Sequence, residues 1–413
     1  MNKYLGYRCS VCGAEYLPEQ VQYNCPIDGG NLDVQLDFKS IKANTSPKDI
    51  LESKVASIWR YLPLLPLNAV PDGCSPIHTV GWSPVYRFDR LAADLGLNSL
   101  KIKDDGRNPT ASFKDRASAV VVTRAMEIGA KTVVTASTGN AGAALAGMSA
   151  AVGWDAVIFA PKTAPKAKIA QLLIFGAKVI LVNGNYDQAF DLAVEASKRY
   201  GWYCRNTGYN PFTLEGKKTA AFEIWEQVLQ EKRRIPLNIF VSVGDGNIIS
   251  GIHKGFKDLV ELGWLEFMPR IFGVQSERSD AVYQAFVNNW NEIKPVNSTT
   301  LADSISVDLP RDGLRAVRAA KETGGQILAV TDEAILDAIA ALGKIGIFTE
   351  PAAAAAYAGM LKAVDKKLVT GYDDVLVMNT GNGLKDIGAA MRSVPEPVTI
   401  DPTLDDLARV LSK

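Results

Sequence analysis

From about residue 90 onward, short apolar runs alternate with longer segments whose apolar positions recur at helical spacing. The runs "TVVTAST", "DAVIFAP", "AKVILVNG", "NIFVSVG", "RIFGVQS" and "DDVLVMNT" predict strands. Between them, "GNAGAALAGMSAAVG", "APKAKIAQLLIFGA" and "YDQAFDLAVEASKRYG" predict helices. Strands that alternate with helices need crossover connections, which implies a parallel sheet covered on both faces and an α/β fold class. Open sheets of this kind bind ligands at the carboxyl ends of their strands. The stretch "VNSTTLADSISVDLPRDG" interrupts the pattern without a change in composition, which marks a long functional loop rather than a linker.

Composition narrows the function classes. A chain of 413 residues exceeds one ordinary core, so two or three structural units are expected. With 45 basic and 45 acidic residues the charge is balanced, and nucleic acid is not expected as a partner. No apolar run approaches the roughly 20 residues of a membrane span, and "MNKYLGYRCSVCG" lacks the apolar centre of a signal peptide. A cytoplasmic protein without membrane contact is the expectation. The two histidines, His78 and His253, rule out a histidine-rich metal centre, and neither sits beside a nucleophile motif.

Three of the five cysteines fall within the first 25 residues. Cys9 and Cys12 have the CxxC spacing of a zinc ribbon, and Cys25-Pro-Ile-Asp28 repeats it with aspartate in the fourth place. Zn²⁺ accepts carboxylate oxygen, so Cys9, Cys12, Cys25 and Asp28 are candidate ligands of a structural zinc; a ribbon that persists without metal is the alternative. Residues 1–35 are read as this module and 36–90 as a joining segment. Residues 91–390 form the catalytic region, with a small α/β subdomain at about 130–205, and 391–413 a C-terminal tail or helix. The ribbon cysteines lie far along the chain from every segment described next, so the ribbon is expected to be independent of catalysis.

Four segments join strand ends to helix starts and mix small residues with polar ones. In "NPTASFKDR", Lys114 opens a predicted helix, where the helix dipole disfavours its charged form and favours a nucleophilic amine; a surface lysine paired with Asp115 is the plain alternative. In "ASTGNAGAALAG", Ser137, Thr138 and Asn140 surround a helix start whose small residues let a planar or anionic ligand approach, or else they cap the helix. In "VSVGDGNIISG", Gly244, Asp245, Gly246, Asn247 and Ile248 form a turn into a helix that can cradle a phosphate, although a simple turn would use the same residues. In "VMNTGNGLKDIG", Thr380 places a hydroxyl at a strand end, suited to a heteroaromatic nitrogen or to a cap.

A reactive lysine, a phosphate cradle, an asparagine loop and a strand-end hydroxyl together meet the needs of pyridoxal 5'-phosphate. With these motifs the chain resembles the fold type II pyridoxal-phosphate enzymes (the tryptophan synthase β-like family) and, among them, the threonine synthases. "NPTASFKDR" is similar to that family's NPTGSFKDR, "STGNAG" to STGNT, "NTGYNPFTLEGKKT" to NSxNPxRLEGQKT, "GIFTEPAAAAA" to GVFxEPASAA and "TGNGLKD" to TGHGLKD. The resemblance spans residues 80–390 and implies two doubly wound α/β domains beside the ribbon, and a homodimer. It implies that Lys114 bonds the cofactor and acts as the catalytic base. It further implies that Asn140 contacts the ring oxygen, Gly244 to Ile248 hold the phosphate and Thr380 meets the ring nitrogen. Ser137, Thr138, Asn140, Asn206, Thr207, Thr213 and Lys217 are then the candidates for substrate. The implied activity is that of a carbon–oxygen lyase converting O-phospho-L-homoserine and water to L-threonine and phosphate. The alternatives are β-replacement on O-phospho-L-serine, as in cysteate synthase, or dehydration of serine or threonine.

Three departures concern the substrate end. Thr213 stands where the family motif has arginine, Ala141 where many members have threonine, and Asn382 where they have histidine. A two-bond clamp on phosphate is thereby missing. Lys217, four residues on and on the same helical face, is the leading replacement cation, with Arg205 and Lys218 as others.

Overall fold

The computed structural model describes residues 3–164, 166–184, 186–230 and 237–411. A six-stranded sheet runs in the order Ile327–Val330, Arg270–Ser276, Leu237–Ser242, Asp374–Asn379, Ser99–Asp104, Val85–Arg87. Its strands are parallel except at the Val85–Arg87 edge. A second, fully parallel sheet is ordered Lys178–Val182, Asp155–Pro161, Thr132–Ala136, Tyr203–Cys204. The N-terminus adds a three-stranded antiparallel sheet of Glu15–Tyr16, Tyr4–Cys9 and Leu32–Leu36. The α/β class read from the alternating pattern is therefore observed, and each of the six predicted strands is present.

Burial explains the pattern. Leu237–Ser242 and Asp374–Asn379 are buried at every position, as strands are when helices cover both faces of a parallel sheet. The helix Asn247–Leu262 turns Ile249, Ile252, Phe256 and Leu259 into the core. The alanine run of Pro351–Asp365 packs with almost no exposure against the central strands. Four strands of these two sheets escape the hydrophobic reading: Val85–Arg87, Tyr203–Cys204 and Ile327–Val330 have only three, two and four residues, and Ser99–Asp104 carries Lys101 and Lys103 yet is buried throughout. Lys103 is tolerated there because its Nζ lies 2.7 Å from Glu223 Oε2.

Three helices, Lys114–Glu127, Phe212–Val228 and Asn247–Leu262, stack beside one another under the cleft between the two larger sheets. A buried charge network ties the first two: Arg116 meets Asp105 at 2.8 Å and Glu223 at 2.5 Å. The C-terminal helix Leu404–Leu411 buries none of its residues. Among the described residues no helix is long and apolar enough to cross a membrane.

Candidate active site

The carboxyl ends of Thr132–Ala136, Leu237–Ser242 and Asp374–Asn379 open onto one cavity of about 580 Å³. Lys114, Ser137 to Asn140, Thr207, Gly244 to Ile248 and Thr380 all reach its wall. Residues from five separated segments of the sequence thus meet in one place.

Lys114 is the first residue of its helix, and the strap before it is docked on the strand that ends at Asn379. The Phe113 N–H donates to the Thr380 carbonyl at 2.9 Å, the Asn382 N–H donates to the Ala111 carbonyl at 3.1 Å, and Ser112 bridges to Gly381. Lys114 and Thr380 are therefore placed by the same short ladder. Asp115 closes the strap from within by accepting from the Thr110 N–H at 2.7 Å and from the Thr110 hydroxyl. It is turned into the protein, so it does not pair with Lys114 as the surface alternative required. Burial first, and then the Arg205 guanidinium, lower the Lys114 pKa to about 8 against Asp245 and Glu350, which act in the opposite sense. The lowered value agrees with the sequence expectation, but burial and a neighbouring cation cause it.

Asn140 Nδ2 donates to Glu350 Oε1 at 2.8 Å and to Ser304 Oγ at 3.3 Å. Asn206 Oδ1 accepts from the Ala136 N–H at 2.8 Å and from the Thr135 hydroxyl at 2.9 Å, which ties the end of the small sheet to the next segment. Thr207 accepts a 2.5 Å bond from Arg205. The Thr380 hydroxyl lies 3.4 Å from that of Ser242.

Gly246 turns the phosphate-cradle segment at φ 92°, and a Cβ there would lie 2.6 Å from the Asp312 carbonyl. The helix that follows has no side-chain cap on its first turn, and neither has the helix beginning at Asn140. Two long helices thus aim first-turn N–H groups without a side-chain acceptor at one cavity, a donor set suited to anions. Asp245 is compatible with an anion because burial and the neighbouring Asp312 raise its pKa to about 7, so it takes a proton near neutrality, and the Arg311 N–H holds its Oδ1 at 2.7 Å. With the Lys114 amine and the Thr380 hydroxyl, this donor set fits pyridoxal phosphate.

Thr213 and Lys217 do share a helical face, but that face lies behind the wall rather than on it. Both approach Asn247 Oδ1, Thr213 at 3.4 Å and Lys217 by a short contact, and both are fully buried. Lys218 points elsewhere, into Glu215 at 2.5 Å and Asp258 at 2.8 Å. The residue missed in the sequence is Glu350, a cavity-lining carboxylate whose pKa burial raises. Its quoted motif "TEPAAAAA" reads as a helix start, and only the neighbouring glycine hints at more: a Cβ on Gly381 would lie 2.0 Å from Glu350 Oε1. Ser242, Ser304 and Arg311 were also missed. The candidate metal ligands Cys9, Cys12, Cys25 and Asp28 form a separate cluster, with their ligand atoms within 4.8 Å of one another.

A family model described as pyridoxal-phosphate dependent enzyme matches residues 77–381, from before the lysine strap to beyond Thr380. The chain belongs to that family. Among pyridoxal-phosphate-dependent enzymes it is 37% identical to the threonine synthase of Methanocaldococcus jannaschii over 409 residues, covering 98% of this chain and 99% of that one. It is also 37% identical to the threonine synthase of Methanosarcina acetivorans, covering 98% of each. The resemblance to threonine synthases thus extends across nearly the whole chain, ribbon included. Among solved structures, the diaminopropionate ammonia lyase of Escherichia coli superimposes with a TM-score of 0.67 at 19% identity, covering 85% of this chain and 94% of that one. The threonine deaminase isoform 2 of Solanum lycopersicum gives 0.64 at 22%, covering 84% and 91%. These two show the shared fold.

Proposed function

We propose that this pyridoxal-phosphate enzyme is a threonine synthase, which cleaves the Cγ–O bond of O-phospho-L-homoserine and leaves the hydroxyl of water on Cβ. The observation that carries the reading is the Lys114 amine, held with a lowered pKa at a cavity where the predicted cofactor segments meet, in a chain similar end to end to threonine synthases. Bound pyridoxal phosphate supplies an aldehyde for that amine and a ring that takes up electron density from the carbon beside the substrate amine. In this reading Gly244 to Ile248 hold the cofactor phosphate through backbone N–H groups, and the Thr380 hydroxyl orients the ring nitrogen without a full charge. Ser137, Thr138 and Asn140 grip the substrate carboxylate. Lys114, once released, carries protons to and from Cα and Cβ, which a group titrating near pH 8 can do in both directions.

Lys168 and Lys385 support a phosphorylated substrate. They line a recess beside the cavity with Thr138, Asn140 and Glu350, where their charge can replace the missing arginine clamp. Glu350 and Asn140 then sit between cofactor and substrate. Thr207 lines the wall, and Thr213, Lys217 and Asn206 shape it from behind or beside it. We further propose a cytoplasmic homodimer. Cys74 and Cys204, outside the ribbon cluster and in no disulfide, suit a reducing compartment, and Leu404 and Leu411 on the exposed C-terminal helix suit a partner surface.

The test is to supply the holoenzyme with O-phosphohomoserine, O-phosphoserine and threonine in turn and to quantify phosphate, threonine and keto acids. Equal amounts of phosphate and threonine from O-phosphohomoserine are expected. Phosphate from O-phosphoserine alone, or keto acid from threonine alone, would overturn the reading.

A further inference from the structure

The N-terminal ribbon is expected to be independent of catalysis because its cysteines lie far along the chain from the other segments, yet it touches the loop after the Leu237–Ser242 strand through a short chain of hydrogen bonds. Asn31, beside the second knuckle, donates from Nδ2 to the Arg311 carbonyl at 2.8 Å and to Asp312 Oδ1 at 3.0 Å. Asp312 in turn accepts from Asn247 Nδ2 at 2.8 Å, and its N–H donates to the Asp245 carbonyl at 3.0 Å. The ribbon is therefore one residue away from both polar members of the phosphate cradle. Asp33 and Ser10 add an ion pair to Arg315 at 2.5 Å and a carbonyl bond from Arg318 at 2.9 Å. On the other side, the Tyr23 hydroxyl accepts from the Cys204 N–H at 2.9 Å, and its ring stacks on Tyr209 at 4.5 Å, either side of Thr207 in sequence.

The ribbon's own centre has the dimensions of a metal site. Cys12 and Cys25 sulfurs are 3.7 Å apart, and Cys9 Sγ is 3.4 Å from Asp28 Oδ1. Zinc–sulfur bonds of about 2.3 Å at tetrahedral angles require sulfurs about 3.8 Å apart, whereas a disulfide would need about 2 Å. The two knuckles also repeat each other. Each runs C-x-x-ligand-Gly, the glycines Gly13 and Gly29 sit at φ 76° and 70°, and each glycine N–H donates back to the carbonyl of the first cysteine, at 3.1 and 2.9 Å. That repetition brings Asp28 to the place of a fourth cysteine. The Val11 N–H at 3.4 Å from Cys9 Sγ and the Tyr16 hydroxyl at 3.0 Å from Cys25 Sγ give the sulfurs outer partners, as thiolate ligands have. The first knuckle is joined to Asn31 directly, because the Ser10 N–H donates to the Asn31 carbonyl at 2.9 Å.

We propose that Cys9, Cys12, Cys25 and Asp28 bind one Zn²⁺, and that the metal-set ribbon, through Asn31, holds Asp312 and thereby positions the Gly244 to Ile248 loop for the cofactor phosphate. Asn31 is a positioning residue in this scheme and touches neither cofactor nor substrate. The coupling rests on the reading of Gly244 to Ile248 as the phosphate loop; the metal site does not.

The experiment uses full-length holoenzyme, zinc measured by elemental analysis, and pyridoxal phosphate affinity measured by absorbance after cofactor removal. About one zinc per chain is expected. Stripping it with a chelator should weaken cofactor binding roughly three- to tenfold, the worth of a few displaced hydrogen bonds, and adding Zn²⁺ back should restore it. Asn31→Ala should weaken cofactor binding by a similar factor while keeping its zinc and its unfolding midpoint. Protein without zinc, or with iron in its place, would overturn the proposal. So would unchanged cofactor affinity in both the stripped protein and Asn31→Ala. Zinc-loaded wild-type protein that fails to bind pyridoxal phosphate would overturn the phosphate-loop reading, which separates that failure from a failure of the metal site.

Discussion

In the proposed reaction Lys114 is cationic for part of the cycle and neutral for the rest, and its surroundings set that balance. Burial and Arg205 both disfavour the ammonium, against weaker support from Asp245 and Glu350. Labelling of cofactor-free protein with an amine reagent, followed by peptide mapping, should therefore show Lys114 reacting with a midpoint near pH 8, well below an ordinary lysine. Arg205→Gln removes a cation that opposes protonation, so the midpoint should move up; a midpoint that stays put or falls would remove Arg205 from the account. Lys114 was legible from sequence because its motif is specific and its chemistry follows from residue type. Glu350 was not, because a glutamate before proline and a run of alanines is what any helix start contains. Thr213 and Lys217 mark the limit in another way. An (i, i+4) spacing tells which side chains share a face, and both do reach Asn247, but it cannot tell whether that face looks into a cavity or into the wall behind it.

At the scale of the element, the lysine strap carries a strain that its relatives' motif avoids. Ala111 sits at φ 62°, in the left-handed region, where NPTGSFKDR has glycine. The position is held because Ala111 accepts from Asn382 and the next residue bridges to Gly381, so the strap cannot relax without leaving Thr380. Ala111→Gly should raise the stability of the holoenzyme by about 1 kcal/mol, the left-handed penalty for a Cβ partly offset by glycine's larger unfolded-state entropy. Thermal unfolding followed by the cofactor's visible band would measure it, and a destabilised variant would show that the alanine methyl supports packing instead. Hydrophobic patterning recovered the strands that carry a run of apolar residues long enough to stand out. It missed Ser99–Asp104 because alternating lysines imitate an exposed edge, and only the placement of Glu223 from a helix more than 100 residues later makes Lys103 a core residue.

The same separation governs the whole molecule, where the ribbon's grip on Asp312 and the charge network under the cleft both join segments that no local pattern connects. Glu223 is the hub of that network. Besides Lys103 and Arg116 it accepts from the Trp82 N–H at 2.8 Å and the Ser83 N–H at 3.2 Å, so one carboxylate gathers the strap before Val85, the Ser99–Asp104 strand and two helices. Burial alone would raise its pKa, but Arg116 and Lys103 outweigh burial and hold it at about 2, below the ordinary 4.5. A carboxylate whose folded pKa lies below its unfolded value contributes stability that is fully present above pH 4.5 and is lost as the pH falls toward 2. The protein should therefore lose stability over that acid window, measured by denaturant unfolding at successive pH values. Glu223→Gln keeps the shape but leaves two buried cations short of a counter-charge, which should cost about 3–5 kcal/mol at neutral pH. It should also flatten the acid dependence between pH 4.5 and 2, since the group that titrates there is gone. An undiminished acid slope in the variant would assign that dependence to other carboxylates. Because Arg116 lies two residues after Lys114 on the same helix, loosening Glu223 should also loosen the Lys114 amine, seen, if Lys114 holds the cofactor as proposed, as weaker cofactor retention in the folded variant.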